Sequence, residues 1–204
     1  MIGIIDYGLG NVLAFVNVYR RCNIPVRVIG TAADLSSASK LILPGVGSFD
    51  HAMERLDQSG MRQRLTELVL EREVPVLGIC VGMQMLAGSS EEGKLPGLGW
   101  VDAKVRRFDV SKLPHGTHLP HMGWNDVTPA GPGGLFKEME KDARFYFLHS
   151  YYFDCHDQAD ILAVSEYGER FSCAVRHKNV YGVQFHPEKS HHFGTQLLKN
   201  YWEL

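Results

Sequence analysis

The feature of this sequence that most constrains its fold is an alternation, in the first half, of short apolar runs with amphipathic segments. The alternation occupies residues 2–6, 11–22, 26–29, 40–43, 61–71 and 74–79. Apolar runs that are short, rich in β-branched residues and barely alternating are typical of strands covered on both faces. The pattern therefore predicts an α/β fold, with a mostly parallel central sheet and helices on both faces.

The second half of the chain has a different pattern. After about residue 93, shorter strands alternate with Pro and Gly turns, at 100–106, 146–153, 161–167, 174–176 and 180–184, and a helix follows at 192–202. These strands predict an antiparallel extension of the sheet. At 204 residues the chain suits a single domain that spans 1–204.

Charge and cysteine content exclude several classes of function. The formal net charge is −2, with acidic and basic residues interspersed, so no footprint for nucleic acid or for a membrane surface is present. No apolar run approaches the roughly 20 residues that span a bilayer. The four cysteines show no paired short spacing, and the chain starts with a strand pattern instead of a signal peptide. We therefore expect a cytoplasmic protein that acts on a small neutral or zwitterionic molecule.

Cys80 occupies a sequence typical of a nucleophile elbow. It lies in Gly78-Ile79-Cys80-Val81-Gly82, after an apolar run and before residues 83–87, which indicate the start of a helix. A strand that turns sharply into a helix strains the turn residue, so small residues must flank it. The N–H groups at the start of that helix favour a thiolate and can face an oxyanion. A lone cysteine in an apolar run is more often a core residue, but a packing cysteine needs no flanking glycines.

A second segment supplies partners for a cysteine nucleophile. Residues 180–185 are predicted to form a strand that ends in His186-Pro187-Glu188, where the proline prevents further pairing. A cysteine nucleophile needs an imidazole within hydrogen-bonding distance and a third group that fixes the tautomer of the ring. Cys80, His186 and Glu188 can fill these roles.

Glycine-rich or polar loops follow three of the predicted parallel strands, at residues 6–11, 44–49 and the Cys80 elbow. Parallel sheets bind ligands at the carboxyl ends of their strands, so we expect the three loops to cluster. The compact loop Pro44-Gly45-Val46-Gly47 lets backbone N–H groups approach a ligand closely. It is the candidate for a second oxyanion donor, although an isolated Gly-x-Gly is more often an ordinary turn.

Taken together, three motifs resemble the signatures of the class I, triad-type glutamine amidotransferases. They are residues 44–47, residues 78–84 (Gly-Ile-Cys-Val-Gly-Met-Gln) and residues 184–188 (Gln-Phe-His-Pro-Glu). The resemblance extends over nearly the whole chain. Residues 6–11 (Asp-Tyr-Gly-Leu-Gly-Asn), 120–125 (Pro-His-Met-Gly-Trp-Asn), 149–151 (His-Ser-Tyr) and 188–190 (Glu-Lys-Ser) are similar to one branch, the glutaminase subunits of imidazole glycerol phosphate synthases.

The resemblance implies a function and a role for each matching residue. The chain would hydrolyse glutamine without a metal or cofactor, through a thioester on Cys80, and pass ammonia to a separate (β/α)8-barrel cyclase subunit of histidine biosynthesis. His186 would be the general base and acid and Glu188 its orienter. The resemblance assigns the remaining residues by group: oxyanion hole, Val46 and Val81; glutamine binding, Gly47, Gln84, Ser150 and Tyr151; and subunit junction, Trp124, Asn125, Tyr146 and Lys189.

Other hypotheses remain open at this stage. Residues 12–15 (Val-Leu-Ala-Phe) and 191–194 (His-His-Phe-Gly) depart from the branch pattern and resemble a paralogous subfamily that supplies ammonia for amination of a surface-polysaccharide sugar. A free-standing hydrolase of γ-glutamyl or peptide bonds would keep the triad, and a flavodoxin-like binding module would not use it. His115, His118 and His121 suggest a metal site, but their loop has no carboxylate or thiol at ligand spacing.

Overall fold

The computed structural model describes residues 1–139 and 141–204. The strands are β1 Ile2–Ile5, β2 Val26–Ile29, β3 Lys40–Gly45, β4 Val76–Cys80, β5 Ser89–Ser90, β6 Ala103–Arg107, β7 His121–Asp126, β8 Thr128–Pro129, β9 Arg144–His149, β10 Tyr151–Cys155, β11 Ile161–Tyr167, β12 Glu169–His177 and β13 Val180–Val183. The α-helices are α1 Val12–Arg21, α2 Phe49–Gln58, α3 Arg62–Leu70, α4 Val81–Gln84 and α5 His191–Glu203. Short 3-10 helices lie at Asp34–Ser37, Val110–Lys112, Gly134–Phe136, Gln158–Asp160 and Pro187–Lys189.

The centre of the fold is a parallel sheet in the order β2-β1-β3-β4-β13. Every residue of β1, β4 and β13 is buried, which explains why their sequences are apolar without alternation. Helices pack around this sheet, and α1 and α5 also contact each other. The predicted α/β fold with a mostly parallel centre is confirmed.

The predicted antiparallel extension is also present. Beyond β13 the sheet continues through β12, β10 and β6, each antiparallel to its predecessor, and β11 pairs with β12 and β8. One assignment was wrong: β13, which we placed in the extension, pairs parallel with β4 and belongs to the central sheet. The sequence of β13 is compatible with parallel or antiparallel pairing. Its parallel partner lies about a hundred residues earlier in the chain, so local patterning could not reveal the pairing.

A second prediction was also wrong: the segment at 146–153, predicted as one strand, forms two strands that lie in two different sheets. β9 pairs antiparallel with β7 in a separate two-stranded sheet, whereas β10 pairs with β6 and β12 in the main sheet. Ser150 is the residue between them. A chain that passes from one sheet to another keeps the same apolar pattern, so the sequence showed a single apolar run at 146–153.

Most helices were predicted to within a residue or two, but α2 was missed. Its buried residues, Phe49, Ala52, Met53 and Leu56, follow the i, i+3, i+4, i+7 spacing of an amphipathic helix. The helix after Cys80 is shorter than the sequence suggests, since α4 makes a single turn. No helix among residues 1–139 and 141–204 is long and apolar enough to cross a membrane.

The elbow between β4 and α4 has the strained backbone that its sequence predicts. Cys80 has φ 56° and ψ −114°, a conformation that non-glycine residues rarely adopt. A Cβ on Gly78 would lie 2.6 Å from the carbonyl oxygen of Gly82, and a Cβ on Gly82 would collide with the carbonyl oxygen of Leu43 on β3. Glycine is therefore required on both sides of Cys80 so that the elbow can fold back against its own strand and the next one.

We expect Gly82→Ala to lower the free energy of unfolding by about 2 kcal/mol or more, because the added methyl meets backbone that cannot move aside. Gly30→Ala is the matched control, since a Cβ there meets nothing within 4 Å. Urea unfolding should show the control within about 0.5 kcal/mol of the unmodified protein. Equal stability of the two variants would contradict this view of the elbow.

Candidate active site

Parallel pairing of β4 with β13 brings Cys80 and His186 together. Ile79 pairs with Val183, so the residues that follow, Cys80 and Gln184, leave the sheet side by side, and His186 comes two residues later. Cys80 and His186 are each 4 % exposed. Two segments that are a hundred residues apart in sequence therefore meet at the carboxyl edge of the sheet, as predicted.

His186 is held by Glu188. The Nδ1 atom of His186 lies 2.9 Å from Oε1 of Glu188, and the two side chains are 5 % and 3 % exposed. Because Nδ1 faces this carboxylate, Nε2 is the nitrogen left to exchange a proton with the Cys80 thiol, which is one of the groups that raise the pKa of His186. The geometry matches a nucleophile, a base and an orienting carboxylate in series.

The electrostatics of the site favour a charged imidazole. Burial lowers the pKa of His186, but hydrogen bonds to Cys80 and Glu188, together with the charges of these two groups, outweigh it and raise the pKa to about 10. At neutral pH the ring is therefore an imidazolium. A positive ring beside a thiol stabilises the thiolate, which is the nucleophilic form of cysteine.

Buried amides lie behind the sulfur. Nε2 of Gln184, which is fully buried, is 3.9 Å from Sγ of Cys80, and the carbonyl oxygen of Leu148 is at the same distance on another side. Nε2 of Gln84 donates to Oε1 of Gln184 at 3.0 Å and to the carbonyl oxygen of Tyr151 at 3.2 Å. Gln184 therefore offers a neutral N–H donor to the sulfur of Cys80.

A cleft of about 290 Å³ opens above Cys80. Nine of the residues that the sequence analysis singled out line it: Val46, Gly47, Cys80, Val81, Gln84, Ser150, Tyr151, His186 and Lys189. Glu188 lies behind His186, outside the cleft, as its orienting role requires. The structure thus brings together all the residues predicted for the nucleophile, the oxyanion hole and glutamine binding.

The glycine loop lies directly beside the elbow. Gly45, the last residue of β3, pairs with Cys80, and the hydroxyl of Tyr7 donates to the carbonyl oxygen of Pro44 at 2.7 Å. The loops after β1, β3 and β4 therefore cluster, which confirms that prediction. Val46 is 39 % exposed, and a Cβ on Gly47 would meet nothing within 4 Å, so the tip of this loop is loosely packed.

Sequence reasoning missed four residues of the cleft: Glu92, Pro120, Leu148 and His149. Pro120 and His149 lie in segments that carried the family resemblance, but neither had a role assigned. Glu92 had no sequence signal. Its Oε2 accepts a hydrogen bond from the backbone N–H of Phe49 at 2.9 Å, so it holds the first residue of α2, the helix that follows the glycine loop.

The four residues predicted for a subunit junction do not all share one face. Trp124 pairs with Tyr146 across the β7–β9 sheet, and Nζ of Lys189 lies 5.8 Å from the Tyr146 ring centroid. Asn125 alternates to the other face, where its Nδ2 donates to the carbonyl oxygen of Glu166 at 2.8 Å. We call the face with Trp124 and Tyr146 the β7–β9 face.

The β7–β9 face is apolar and exposed. Met122 pairs with Leu148 across the two strands, and the exposed fractions are 65 % for Met122, 41 % for Trp124 and 37 % for Leu148. Leu148 also lines the cleft, so this face is continuous with the space above Cys80. Exposed apolar patches next to a reactive centre are typical of interaction surfaces.

The His115, His118 and His121 triplet is dispersed by the fold. His121 starts β7 and is buried against His149, whereas His115 and His118 are exposed. We had placed all three in a loop, which is wrong for His121. Within the described residues, no group of three or more His, Cys, Asp or Glu side chains is arranged to hold a metal ion.

Comparison with known proteins defines the class of this protein. The family described as "Glutamine amidotransferase class-I" matches residues 3–204. The chain therefore belongs to the class I glutamine amidotransferase family, and the enzyme class predicted from its motifs is confirmed.

Relatives within that class are named for one enzyme. The chain is 62 % identical over 204 residues, covering all of both chains, to imidazole glycerol phosphate synthase subunit HisH of Bdellovibrio bacteriovorus. It is 49 % identical, again over the full length of both, to the subunit HisH of Leptospira interrogans. It is 46 % identical over the full length of both to the subunit HisH 2 of Pseudomonas aeruginosa.

Solved structures support the fold. A crystal structure of a glutamine amidotransferase matches with a TM-score of 0.76 at 20 % identity, covering 99 % of this chain and 97 % of the other. The glutaminase domain of Trypanosoma brucei CTPS with bound acivicin matches with a TM-score of 0.64 at 14 % identity, covering 99 % and 93 %. At these identities the likeness concerns the fold alone.

We expect Glu188→Gln to lower the pKa of His186 toward its ordinary value, because the carboxylate is one of the groups that raise it. The imidazolium exists below the pKa, so it would be lost at a lower pH than in the unmodified protein. NMR titration of the His186 ring measures this directly. Glu203→Gln, at an exposed position, is the control, and an unchanged pKa in Glu188→Gln would contradict the assignment.

Proposed function

We propose that this chain is the glutaminase subunit of an imidazole glycerol phosphate synthase. It hydrolyses glutamine to glutamate and ammonia and passes the ammonia to a (β/α)8-barrel cyclase subunit of histidine biosynthesis. The observation that carries the proposal is the buried Cys80–His186–Glu188 series at a cleft of about 290 Å³, in a chain that matches subunits of that name over its full length. A cleft of this size suits one amino acid.

The first half of the reaction uses the thiolate form of Cys80 and the imidazolium form of His186. The Cys80 thiolate attacks the carbon of the glutamine side-chain amide, and the backbone N–H groups of Val46 and Val81 stabilise the oxyanion. The imidazolium of His186 gives its proton to the nitrogen, the C–N bond breaks, and ammonia leaves. A γ-glutamyl thioester remains on Cys80, and His186 is neutral.

The second half restores the enzyme. Neutral His186 takes a proton from water, which attacks the thioester carbon, and the C–S bond breaks as the oxyanion collapses. Glutamate leaves, and Cys80 thiolate and His186 imidazolium are regenerated. Glu188 keeps Nδ1 protonated throughout, so that Nε2 is the nitrogen that gains and loses the proton.

Glutamine would be held by groups already oriented in the cleft. Gly47, Gln84, Ser150 and Tyr151 line the cleft together with Cys80. Because the Nε2 atom of Gln84 is engaged by Tyr151 and Gln184, its carbonyl oxygen is the group left for the substrate. The predicted glutamine-binding residues of the cleft argue against a free-standing hydrolase of peptide bonds.

The β7–β9 face is the proposed docking surface for the cyclase. It is apolar, carries Lys189 over the Tyr146 ring, and adjoins the cleft through Leu148. Ammonia released at Cys80 would therefore leave next to the bound partner. The loosely packed loop at Val46 and Gly47 is suited to adopt its active conformation only when the partner is bound.

The same proposal places the enzyme in a reducing cytosol, and each of the four cysteines is a free thiol. The alternative acceptor, a sugar in surface-polysaccharide synthesis, would change the partner and leave the glutaminase chemistry intact. Its sequence signal at 191–194 includes His191, whose ring stacks on Trp124 at 5.4 Å, so the departure from the branch pattern adjoins the docking face. Purification with candidate barrel subunits, followed by assays of both amination reactions, separates the two acceptors.

We expect Cys80→Ala to abolish glutamine hydrolysis while leaving the thermal unfolding temperature close to that of the unmodified protein, because the thiol supplies the reacting atom. Cys22→Ala is the matched control. Cys22 directly follows α1 and does not line the cleft, so this variant should retain full activity. Glutamate release by the complex with its cyclase is the assay. Turnover by Cys80→Ala would remove this residue as the nucleophile.

We expect Trp124→Ala to weaken binding of the cyclase subunit by about tenfold or more, since buried aromatic residues dominate such interfaces. Leu13→Ala is the control, because Leu13 is 69 % exposed and lies on α1. Isothermal titration calorimetry gives both affinities, and equal affinities of the two variants would contradict the docking surface.

The isolated chain should also hydrolyse glutamine far more slowly than the complex. Full activity without the partner would contradict activation by the partner.

A further inference from the structure

Outside the Cys80–His186–Glu188 series, buried polar side chains connect strand β7 to the cleft. Nδ2 of Asn125 lies 3.1 Å from Nε2 of His121, and Nδ1 of His121 lies 3.0 Å from Nε2 of His149. Nδ1 of His149 lies 2.7 Å from the carbonyl oxygen of Tyr151. His121 is 3 % and His149 5 % exposed. This hydrogen-bonded path therefore runs from β7 to the first residue of β10 through two buried imidazole rings.

The path continues from Tyr151 to the nucleophile. The carbonyl oxygen of Tyr151 accepts a second hydrogen bond, from Nε2 of Gln84 at 3.2 Å. Gln84 also donates to Oε1 of Gln184, and Nε2 of Gln184 approaches Sγ of Cys80 at 3.9 Å. A displacement of the Tyr151 carbonyl would thus change the position of both amides behind the sulfur.

The end of the path fixes both histidine tautomers. A carbonyl oxygen can only accept, so Nδ1 of His149 must carry a hydrogen and, in the neutral ring, Nε2 must accept. Nδ1 of His121 is then the donor to His149, and Nε2 of His121 accepts from the Asn125 amide. A proton added to either ring would place two N–H groups against each other or against the amide.

The surroundings keep both rings neutral. Burial lowers the pKa of His121 to about 4. Burial, together with the charges of His121 and His186, lowers the pKa of His149 to about 3, although the hydrogen bond to Tyr151 acts in the opposite direction. Aromatic rings enclose the pair: Phe147 and the titratable Tyr167 stack on His121 at 4.7 and 4.2 Å, and Phe108 and Phe171 lie 5.4 and 5.3 Å from His149.

We propose that His121 and His149 form a positioning pair, which fixes the Tyr151 carbonyl and the Gln84–Gln184 amides and couples them to β7. The inference rests on the proposed function, because it makes β7 the strand that the partner contacts. Trp124 and Asn125 are neighbours on β7. One belongs to the exposed β7–β9 face, and the other holds His121. A partner that shifts Trp124 therefore shifts the first donor of the path, and glutamine binding and thiol orientation respond together.

The first test is the rate at which a glutamine-like electrophile, 6-diazo-5-oxo-L-norleucine, alkylates Cys80 in the full chain. His149→Phe keeps the ring but removes both hydrogen bonds, and we expect a loss of about tenfold or more. His149→Asn places an amide N–H where Nδ1 was, so it should recover most of that loss. His115→Phe, at an exposed position, should label like the unmodified protein.

Coupling to β7 is tested by a double-mutant cycle. Asn125→Ala should slow labelling in the unmodified background and change it by less than about twofold in His121→Phe, where the acceptor is gone. Equal effects in the two backgrounds would overturn the coupling. Equal rates for His149→Phe, His149→Asn and the unmodified protein would overturn the positioning role. Absence of selective labelling in the unmodified protein would instead contradict the proposed function.

A second measurement needs no variant, so it holds even where His149→Phe fails to fold. Long-range ¹⁵N–¹H NMR spectra of the histidine rings distinguish the two neutral tautomers and the charged form. We expect His121 and His149 both to carry hydrogen on Nδ1 alone at neutral pH. Hydrogen on Nε2 of His149, or a charged ring at either position, would overturn the pair.

Discussion

The parallel pairing of β4 with β13 is the interaction on which the rest of the active site depends. It places the strained residue Cys80 at the end of one buried strand and the segment from Gln184 to Glu188 at the end of its neighbour. Neither strand has an exposed residue, so the sheet that positions the reacting groups is also the core of the fold. Rigid strands can hold a sulfur, an imidazole and a carboxylate in series more accurately than loops can.

The first half of the fold could be predicted from sequence because its signals are local. Each central strand is a short apolar run, and the glycines at 78 and 82 indicate a sharp turn by their spacing alone. The parallel position of β13 and the change of sheet at Ser150 could not be predicted in the same way. Both are pairings between distant segments, and apolar patterning records burial without recording the partner.

The residues of the candidate site also differ in whether a local sequence signal marks them. Cys80, His186 and Glu188 carry chemistry in their residue types, so the sequence singled them out before any geometry was known. Leu148 and Glu92 have no such signal, because one is an ordinary apolar residue and the other acts by holding the N-terminus of α2. Their contribution is visible only once the glycine loop, the β7–β9 face and the cleft are seen to adjoin one another.

In the proposed reaction, Cys80 becomes covalently attached to the glutamyl group during turnover. Rapid acid quenching of the complex during glutamine hydrolysis, followed by mass spectrometry of the intact chain and its peptides, measures this attachment directly. We expect a γ-glutamyl adduct on the peptide that contains Cys80, and we expect no adduct when glutamate replaces glutamine. An adduct on another residue, or sustained turnover with no adduct under conditions where deacylation is made rate-limiting, would contradict it.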